Sequence, residues 1–336
     1  MISCAPSELT SGALRPHVMS DLILCECFAR DGLQHETAFL STDTKRDLID
    51  QFARAGFRRV EATSYSNPAV VPQFADASEL LTVLPRVDGV HYKATCANTR
   101  AVERALTDLD AGIGVNEISL LVSASDSHSE RNLKQSRSGQ WLRVEAMAKA
   151  AQGRFRLVGT ISVAFGCPFE GAIDPVSVME DVERFASLGV KYITLGDTIG
   201  VATQASTKAL FAQMLSSFPD VHAIAHFHDT RGTGIVNYLA ALEAGVTHFD
   251  VAFGGTGGHP AKVQYGGGVT GNVCTEDFVN VLETMGVDTG IDLSAMMAAS
   301  QACETALGRQ LASRVARTGL NPMLRPKLSA SLATAQ

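Results

Sequence analysis

Along the chain, short runs of aliphatic and β-branched residues alternate with longer stretches in which apolar side chains recur every three or four positions. The short runs are LILCEC (22–27), RRVEAT (58–63), VHYKATC (90–96), NEISLLVS (116–123), RLVGTISVAF (156–165), KYITLGD (191–197), VHAIAHFHD (221–229) and HFDVAFGG (248–255). Bounded by turn-forming residues, they read as strands, and the stretches between them as amphipathic helices. STDTKRDLIDQFARAGF opens on a Ser/Thr cap, and DPVSVMEDVERFASLGV carries Asp-Pro at its start and Gly at its end. ARAGFRRVEA, ASLGVKYITL and LEAGVTHFDV repeat one junction, in which a helix closes on glycine and feeds a strand. Eight strand–helix units in a row predict an α/β fold of the closed (β/α)8 TIM-barrel type rather than an open sheet. A further helical stretch at about 293–314 lies beyond the barrel and predicts a C-terminal helical extension.

The expected organisation is a flexible extension at 1–20, a catalytic barrel at 21–290, a helical extension at 291–325 and a flexible tail at 326–336. Length alone would suit two domains, but a barrel of this kind takes about 250 residues and absorbs most of the chain. Basic residues number 28 against 35 acidic, a formal net charge of −7, which argues against a nucleic-acid or anionic-membrane partner. No apolar run nears the roughly 20 residues of a membrane span. The seven cysteines are dispersed without a CxxC pair, as expected of core residues in a reducing compartment. The first twenty residues have neither the basic start nor the apolar centre of a leader, so the expected location is cytoplasmic.

A barrel dictates where chemistry should sit, at the carboxyl ends of its strands. Arg30 and Asp31 follow the first run, Glu61 and Ser64 the second, Cys167 the fifth, Asp197 the sixth and His226 with His228 the seventh. His259 and Asn272 follow the eighth. His226 and His228 are two residues apart and so share one face of their strand. Two imidazoles side by side are half of a metal site. A single acid or histidine often does no more than satisfy backbone groups. Several converging on one mouth would cost about 1–3 kcal/mol for each group left unsatisfied, which favours a ligand or metal among them.

ARDGLQHE, VEATSYSNPAVVPQFAD, GTISVAFGCPFEG, LGDTIGVAT, HFHDTRGTGIVNYLAALEAGV and GNVCTEDFVNVLETMGVDTG occur in this order between about residues 22 and 293. Together they resemble 3-hydroxy-3-methylglutaryl-CoA (HMG-CoA) lyase and its relatives, a barrel superfamily of metal-dependent acyl-CoA lyases and condensing enzymes. The RDG and HxHD elements are shared across the superfamily, whereas GCPFEG and LGDTIG favour the lyase branch. The resemblance implies a Mg²⁺ or Mn²⁺ site ligated by Asp31, His226, His228 and Asn272. It also implies cleavage of an acyl-CoA substrate, a 3-hydroxyacyl-CoA, into an acyl-CoA such as acetyl-CoA and an oxo acid. Arg30 matches an arginine that faces the thioester oxygen. Glu61 and Asp197 match acids implicated in proton handling and site organisation, and His226 combines ligation with proton transfer in this reading. Ser64 and Asn132 are the substrate-binding candidates, and a homodimer is the expected assembly.

Departures from the family pattern are local. Where the lyases carry a flap reading GGCPYA, His259 occupies the position of the catalytic cysteine, and it is expected to protonate the enolate in its place. The flap is longer than the usual form, and Phe28 and Ala29 stand where Gly-Pro is common. The loop expected after the fourth strand, SDSHSERNLKQSRSG, supplies Arg131, Asn132, Lys134 and Arg137; it is the candidate for CoA phosphates, or else solvated surface. GGTGGHPAKVQYGGGVTG lacks the Lys-Ser/Thr ending of a P-loop and follows the last strand, so it reads as a flap over the barrel mouth. Two other readings fit part of the pattern: an enzyme condensing an acyl-CoA with a 2-oxo acid, and a catalytically quiet metal-binding barrel.

Overall fold

The computed structural model describes residues 22–258 and 271–324. His259 and the rest of the expected flap, 259–270, lie outside the described residues, as do the expected extension at 1–20 and tail at 326–336. Strands β1 (Ile23–Glu26), β2 (Arg59–Ser64), β3 (His91–Cys96), β4 (Glu117–Ser123), β5 (Arg156–Ser162), β6 (Tyr192–Asp197), β7 (His222–Phe227) and β8 (His248–Val251) are all parallel. They close in chain order, with Ile23–Glu26 of β1 paired to His248–Val251 of β8.

Helices follow the strands and cover the outside: α1 (Thr42–Arg54), α2 (Ala77–Val83), α3 (Thr99–Asp110), α4 (Asp126–Leu133), α5 (Arg137–Ala151), α6 (Pro175–Ser187), α7 (Gln204–Ser217), α8 (Gly234–Ala244) and α9 (Thr275–Thr284). The expected caps form. Ser41 accepts the Thr44 amide at the start of α1, and Asp174 accepts the Val176 amide ahead of Pro175 in α6. The expected helical extension is α10 (Leu293–Leu307) and α11 (Val315–Thr318), with α10 packed on α1. No helix among the described residues is long and apolar enough to cross a membrane.

Two strands stop three or more residues short of their expected ends, and backbone conformation explains both. The fifth was expected to reach 165 but ends at Ser162, because Val163 turns to a positive φ of 53° and gives its amide to Thr198 Oγ1 at 2.9 Å. The eighth was expected to reach 255 but ends at Val251, since Gly254 and Gly255 both take positive φ. Basic residues after β4 also depart from expectation. Asp126–Leu133 is a helix, capped by Ser125, rather than a loop.

The candidate active site

The site is assembled from the mouth of the barrel downward. After β1 the chain makes one wide helical turn, Phe28–Gly32, in which the Gly32 amide reaches back to the Cys27 carbonyl. That turn points Arg30 and Asp31 into a cavity of about 300 Å³ at the carboxyl ends of the strands. Gly32 is required there by space, since a Cβ would lie 2.4 Å from Thr256 Oγ1. On β7 and just beyond it, His226 and His228 line the same cavity. Asn272 is held beside His228 by a short antiparallel bridge, with the Asp229 amide bonded to the Gly271 carbonyl.

Side chains from these three segments meet. Asp31 Oδ2 lies 3.7 Å from His226 Nε2 and 3.6 Å from His228 Nε2, and the two imidazole nitrogens are 3.3 Å apart. Asn272 Nδ2 donates to Asp31 Oδ2 at 2.7 Å and to the Thr256 carbonyl at 2.8 Å. Its Oδ1 is buried with no hydrogen-bond partner. Neighbouring ligands of an octahedral ion with bonds of about 2.1 Å stand roughly 3 Å apart, so the three atoms already approximate one face. The orphaned carboxamide oxygen is the kind of group a cation would satisfy, and the O/N donor set, free of thiolate, suits a hard divalent ion. Another cluster, Cys25, Cys27 and Asp250, does not fit a metal. Lys93 and Arg59 already stand 3.5 and 3.6 Å from its carboxylate, and burial pushes the Cys27 thiol up, away from thiolate.

Arg30 is tied down on two sides. Its Nε meets Glu61 Oε1 at 2.8 Å and its Nη1 meets Asp31 Oδ1 at 2.9 Å. Burial pushes the Glu61 carboxyl up, but Arg30 and Lys93 outweigh it and hold the group below the ordinary glutamate range. Thr95 adds a hydrogen bond at 2.6 Å. Asp197 stands apart from this cluster. Its two carboxylate oxygens accept the Val201 and Ala202 amides, and its carbonyl accepts the His228 amide, so it shapes the loop after β6. Burial keeps its carboxyl above the ordinary aspartate value despite those bonds.

The remaining expectations divide. Asn132 lines the cavity together with Lys134. Ser64 is buried behind the wall, bonded to Ser66 Oγ at 2.7 Å, and Ser66 is the hydroxyl on the cavity. Arg137 is paired with Asp181 at 2.6 Å, and Arg131 stacks on Phe169 at 4.1 Å; Arg143, which sequence reasoning missed, lines the cavity instead. Cys167 is buried against Ser125 Oγ at 3.0 Å.

Sequence reasoning also missed Lys93 and Asp250. Lys93 bridges Glu61 at 3.6 Å and Asp250 at 3.5 Å, and Asp250 Oδ2 faces His226 Nδ1 at 3.4 Å. Burial raises the Asp250 carboxyl, but Lys93, the His226 hydrogen bond and Arg59 hold it well below the usual range. The available signal was a charge in the middle of an apolar strand, in VHYKATC and HFDVAF.

A closed parallel barrel with a carboxylate, two imidazoles and a carboxamide converging at its mouth defines a metal-dependent barrel enzyme. The sequence matches the HMGL-like family over residues 21–303. It is 36% identical over 295 residues to the mitochondrial hydroxymethylglutaryl-CoA lyase of Homo sapiens, spanning 88% of each chain. It is 35% identical to the hydroxymethylglutaryl-CoA lyase YngG of Bacillus subtilis, spanning 85% of this chain and 93% of that one. An HMG-CoA lyase from A. baumannii, solved in complex with coenzyme A and 3-methylmalate, superposes with a TM-score of 0.83 at 37% identity, covering 91% of this chain and 97% of that one. The chain therefore belongs to the HMGL-like family, and it is a divalent-metal-dependent carbon–carbon lyase of the acyl-CoA class.

Proposed function

We propose that the enzyme cleaves HMG-CoA or a closely related branched 3-hydroxyacyl-CoA into acetyl-CoA and a 3-oxo acid, acetoacetate in the case of HMG-CoA. The observation that carries this reading is the convergence of Asp31, His226, His228 and the unpartnered Asn272 oxygen beside Arg30 in one cavity. These four residues are the proposed ligands of Mg²⁺ or Mn²⁺, favoured by their oxygen and nitrogen donors. When bound, such an ion acts as a Lewis acid and a template for the substrate's hydroxyl and carboxylate oxygens.

The chain's own groups divide the reaction between them. Cleavage takes the proton from the C3 hydroxyl, converts that C–O bond to a carbonyl and leaves the C2–C3 electron pair on the thioester as an enolate. His226 is the proposed base. Its Nε2 would take the proton when that lone pair is not committed to the ion, and Asp250 behind Nδ1 steadies the imidazolium that results. Glu61 and Asp197 are less suited, because Arg30 and Thr95 hold the first and two backbone amides occupy the second. Arg30, permanently cationic and oriented by Glu61, is the proposed partner of the developing enolate oxygen. Ser66, Asn132, Lys134 and Arg143 line the approach that the CoA arm would take. His259 is proposed to return a proton to the enolate carbon, on the strength of its place in the sequence.

Residues 21–290 form the proposed catalytic unit and 291–325 its helical cover. A cytoplasmic location is supported by the free cysteines, with no disulfide among the described residues. The proposed assembly is a homodimer, which sedimentation analysis would check. Mass spectrometry of the products formed from HMG-CoA with Mg²⁺ or Mn²⁺ tests the reaction. Acetyl-CoA with acetoacetate is expected. Free CoA released from mixtures of acetyl-CoA and a 2-oxo acid, without cleavage of HMG-CoA, would replace the lyase with a condensing enzyme.

A further inference from the structure

The interior of a TIM barrel is ordinarily filled with bulky branched side chains. Below the metal cluster of this one, the cavity continues into a layer of small hydroxyl side chains and one lysine. Lys93, Ser119, Thr160, Thr194 and Asp250 all border it. The level follows from strand register. Gly196 pairs with His226, and Thr194 is two residues earlier on the same face, about 6.6 Å further down its strand. Lys93 likewise precedes Thr95 and Ala97, which line the cavity above it.

Several hydrogen-bonding groups of this floor are left incompletely engaged. Thr194 is 1% exposed, and its Oγ1 is buried with no hydrogen-bond partner. Ser119 and Thr160 bond only to each other in this layer, at 2.7 Å. Lys93 Nζ stands 3.5 and 3.6 Å from its two carboxylates, longer than the usual 2.7–2.9 Å of a charge-assisted hydrogen bond. Charge narrows what could occupy the space. Arg30, Arg59 and Lys93 are balanced by Glu61, Glu117 and Asp250, so a further carboxylate would arrive uncompensated in a buried layer. An alkyl group would leave the Thr194 hydroxyl unsatisfied. A neutral hydroxyl satisfies both conditions, since it accepts from Lys93 or Thr194 and donates to Asp250 or Thr194.

We infer that the barrel floor is a specificity subsite for a hydroxyl-bearing branch on C3 of the 3-hydroxyacyl-CoA, with Thr194 and Lys93 as its recognition groups. The inference rests on the acyl-CoA lyase reading for the position of C3 at the metal cluster. It predicts a preference for a hydroxymethyl over a methyl branch.

The test uses the full-length protein with Mg²⁺ and two uncleavable thioether analogues that differ only in carrying methyl or hydroxymethyl at C3. Calorimetry measures both dissociation constants, and acetyl-CoA formation is followed for the two matching thioesters. The hydroxymethyl compound is expected to bind at least tenfold more tightly, and this preference should shrink to twofold or less in Thr194→Val. Ser119→Ala, two strands away on β4 and bonded to Thr160 beside Thr194, serves as a second variant and should also reduce the ratio. Equal or tighter binding of the methyl compound by the wild type overturns the subsite, as does a preference that survives both substitutions. Cleavage of both thioesters without preference removes the subsite and keeps the lyase. A tenfold binding preference with neither thioester cleaved does the reverse.

Discussion

Arg30 shows how one side chain is made into an instrument by its neighbours. The guanidinium meets Glu61 through Nε and Asp31 through Nη1, leaving the rest of its planar fork toward the cavity. Lysine keeps the charge but cannot hold both acids in that plane. Arg30→Lys is expected to lower kcat/KM by about 100-fold or more, roughly 3 kcal/mol of transition-state stabilisation, with most of the loss in kcat. A change confined to KM would make Arg30 a substrate-binding group only. At this scale, legibility in the sequence followed motif and spacing. Asp31, His226, His228 and Asn272 stand in recognisable strings, and the i, i+2 spacing of the imidazoles implied a shared face. Lys93 and Asp250 sit in no string, and their pairing depends on β3 facing β8 across the barrel interior, which one-dimensional spacing does not encode. The exchange of Ser64 for Ser66 has the same origin, since β2 ends at Ser64 and the chain turns before the cavity wall.

Among the elements, the junction of β1, β8 and the segment before α9 carries the site, and a buried acid fastens it. Glu26 accepts the Phe28 and Phe253 amides and the Thr275 hydroxyl, so it joins the turn bearing Asp31 to the chain on either side of the flap. Burial pushes its carboxyl from 4.5 up to about 8, against the pull of those hydrogen bonds. A raised folded-state pKa means that the acid's contribution to stability is fully present below about pH 4.5 and is lost as pH rises through about 8. Glu26→Gln cannot ionise, so its stability relative to the wild type should improve between these limits, by roughly 1–3 kcal/mol. Parallel denaturant titrations across that range would show it, and a pH-independent difference would remove the assigned shift. Gly32→Ala tests the same junction by crowding. Its new Cβ would press on Thr256, whose carbonyl holds the Asn272 amide. A tenfold or greater loss of Mn²⁺ affinity is expected, with about 1–3 kcal/mol of stability lost to overpacking. Element types and their order were legible from periodicity and caps, except for α4, which was expected as a loop. The early ends of β5 and β8 were not, because a positive φ at Val163 and the Gly254–Gly255 turn override apolar runs that look continuous.

For the whole molecule, the proposed metal ligands tie together parts of the chain that are distant in sequence and adjacent at the barrel seam. Asp31 follows β1, His226 lies on β7 with His228 just beyond it, and Asn272 follows β8, so one ion would clamp the first strand to the last two. The seam needs such help more than the rest of the barrel. Its strands β1 and β8 are four residues each, whereas β4 and β5 are seven. An ion that binds only the folded chain stabilises it by mass action, about 2.7 kcal/mol at 100 times its dissociation constant. Adding Mn²⁺ or Mg²⁺ to chelator-treated protein should therefore raise Tm in a concentration-dependent way, by about 2–4 °C near that ratio. His228→Ala removes one proposed ligand just beyond β7 while leaving the seam's strand pairing intact, so its chelator-treated form should unfold close to the wild type but gain little or nothing from metal. Calorimetric scans of both proteins with and without the ion decide it. A full metal-induced rise in His228→Ala would show that the cation binds elsewhere and would end the assignment of this cluster.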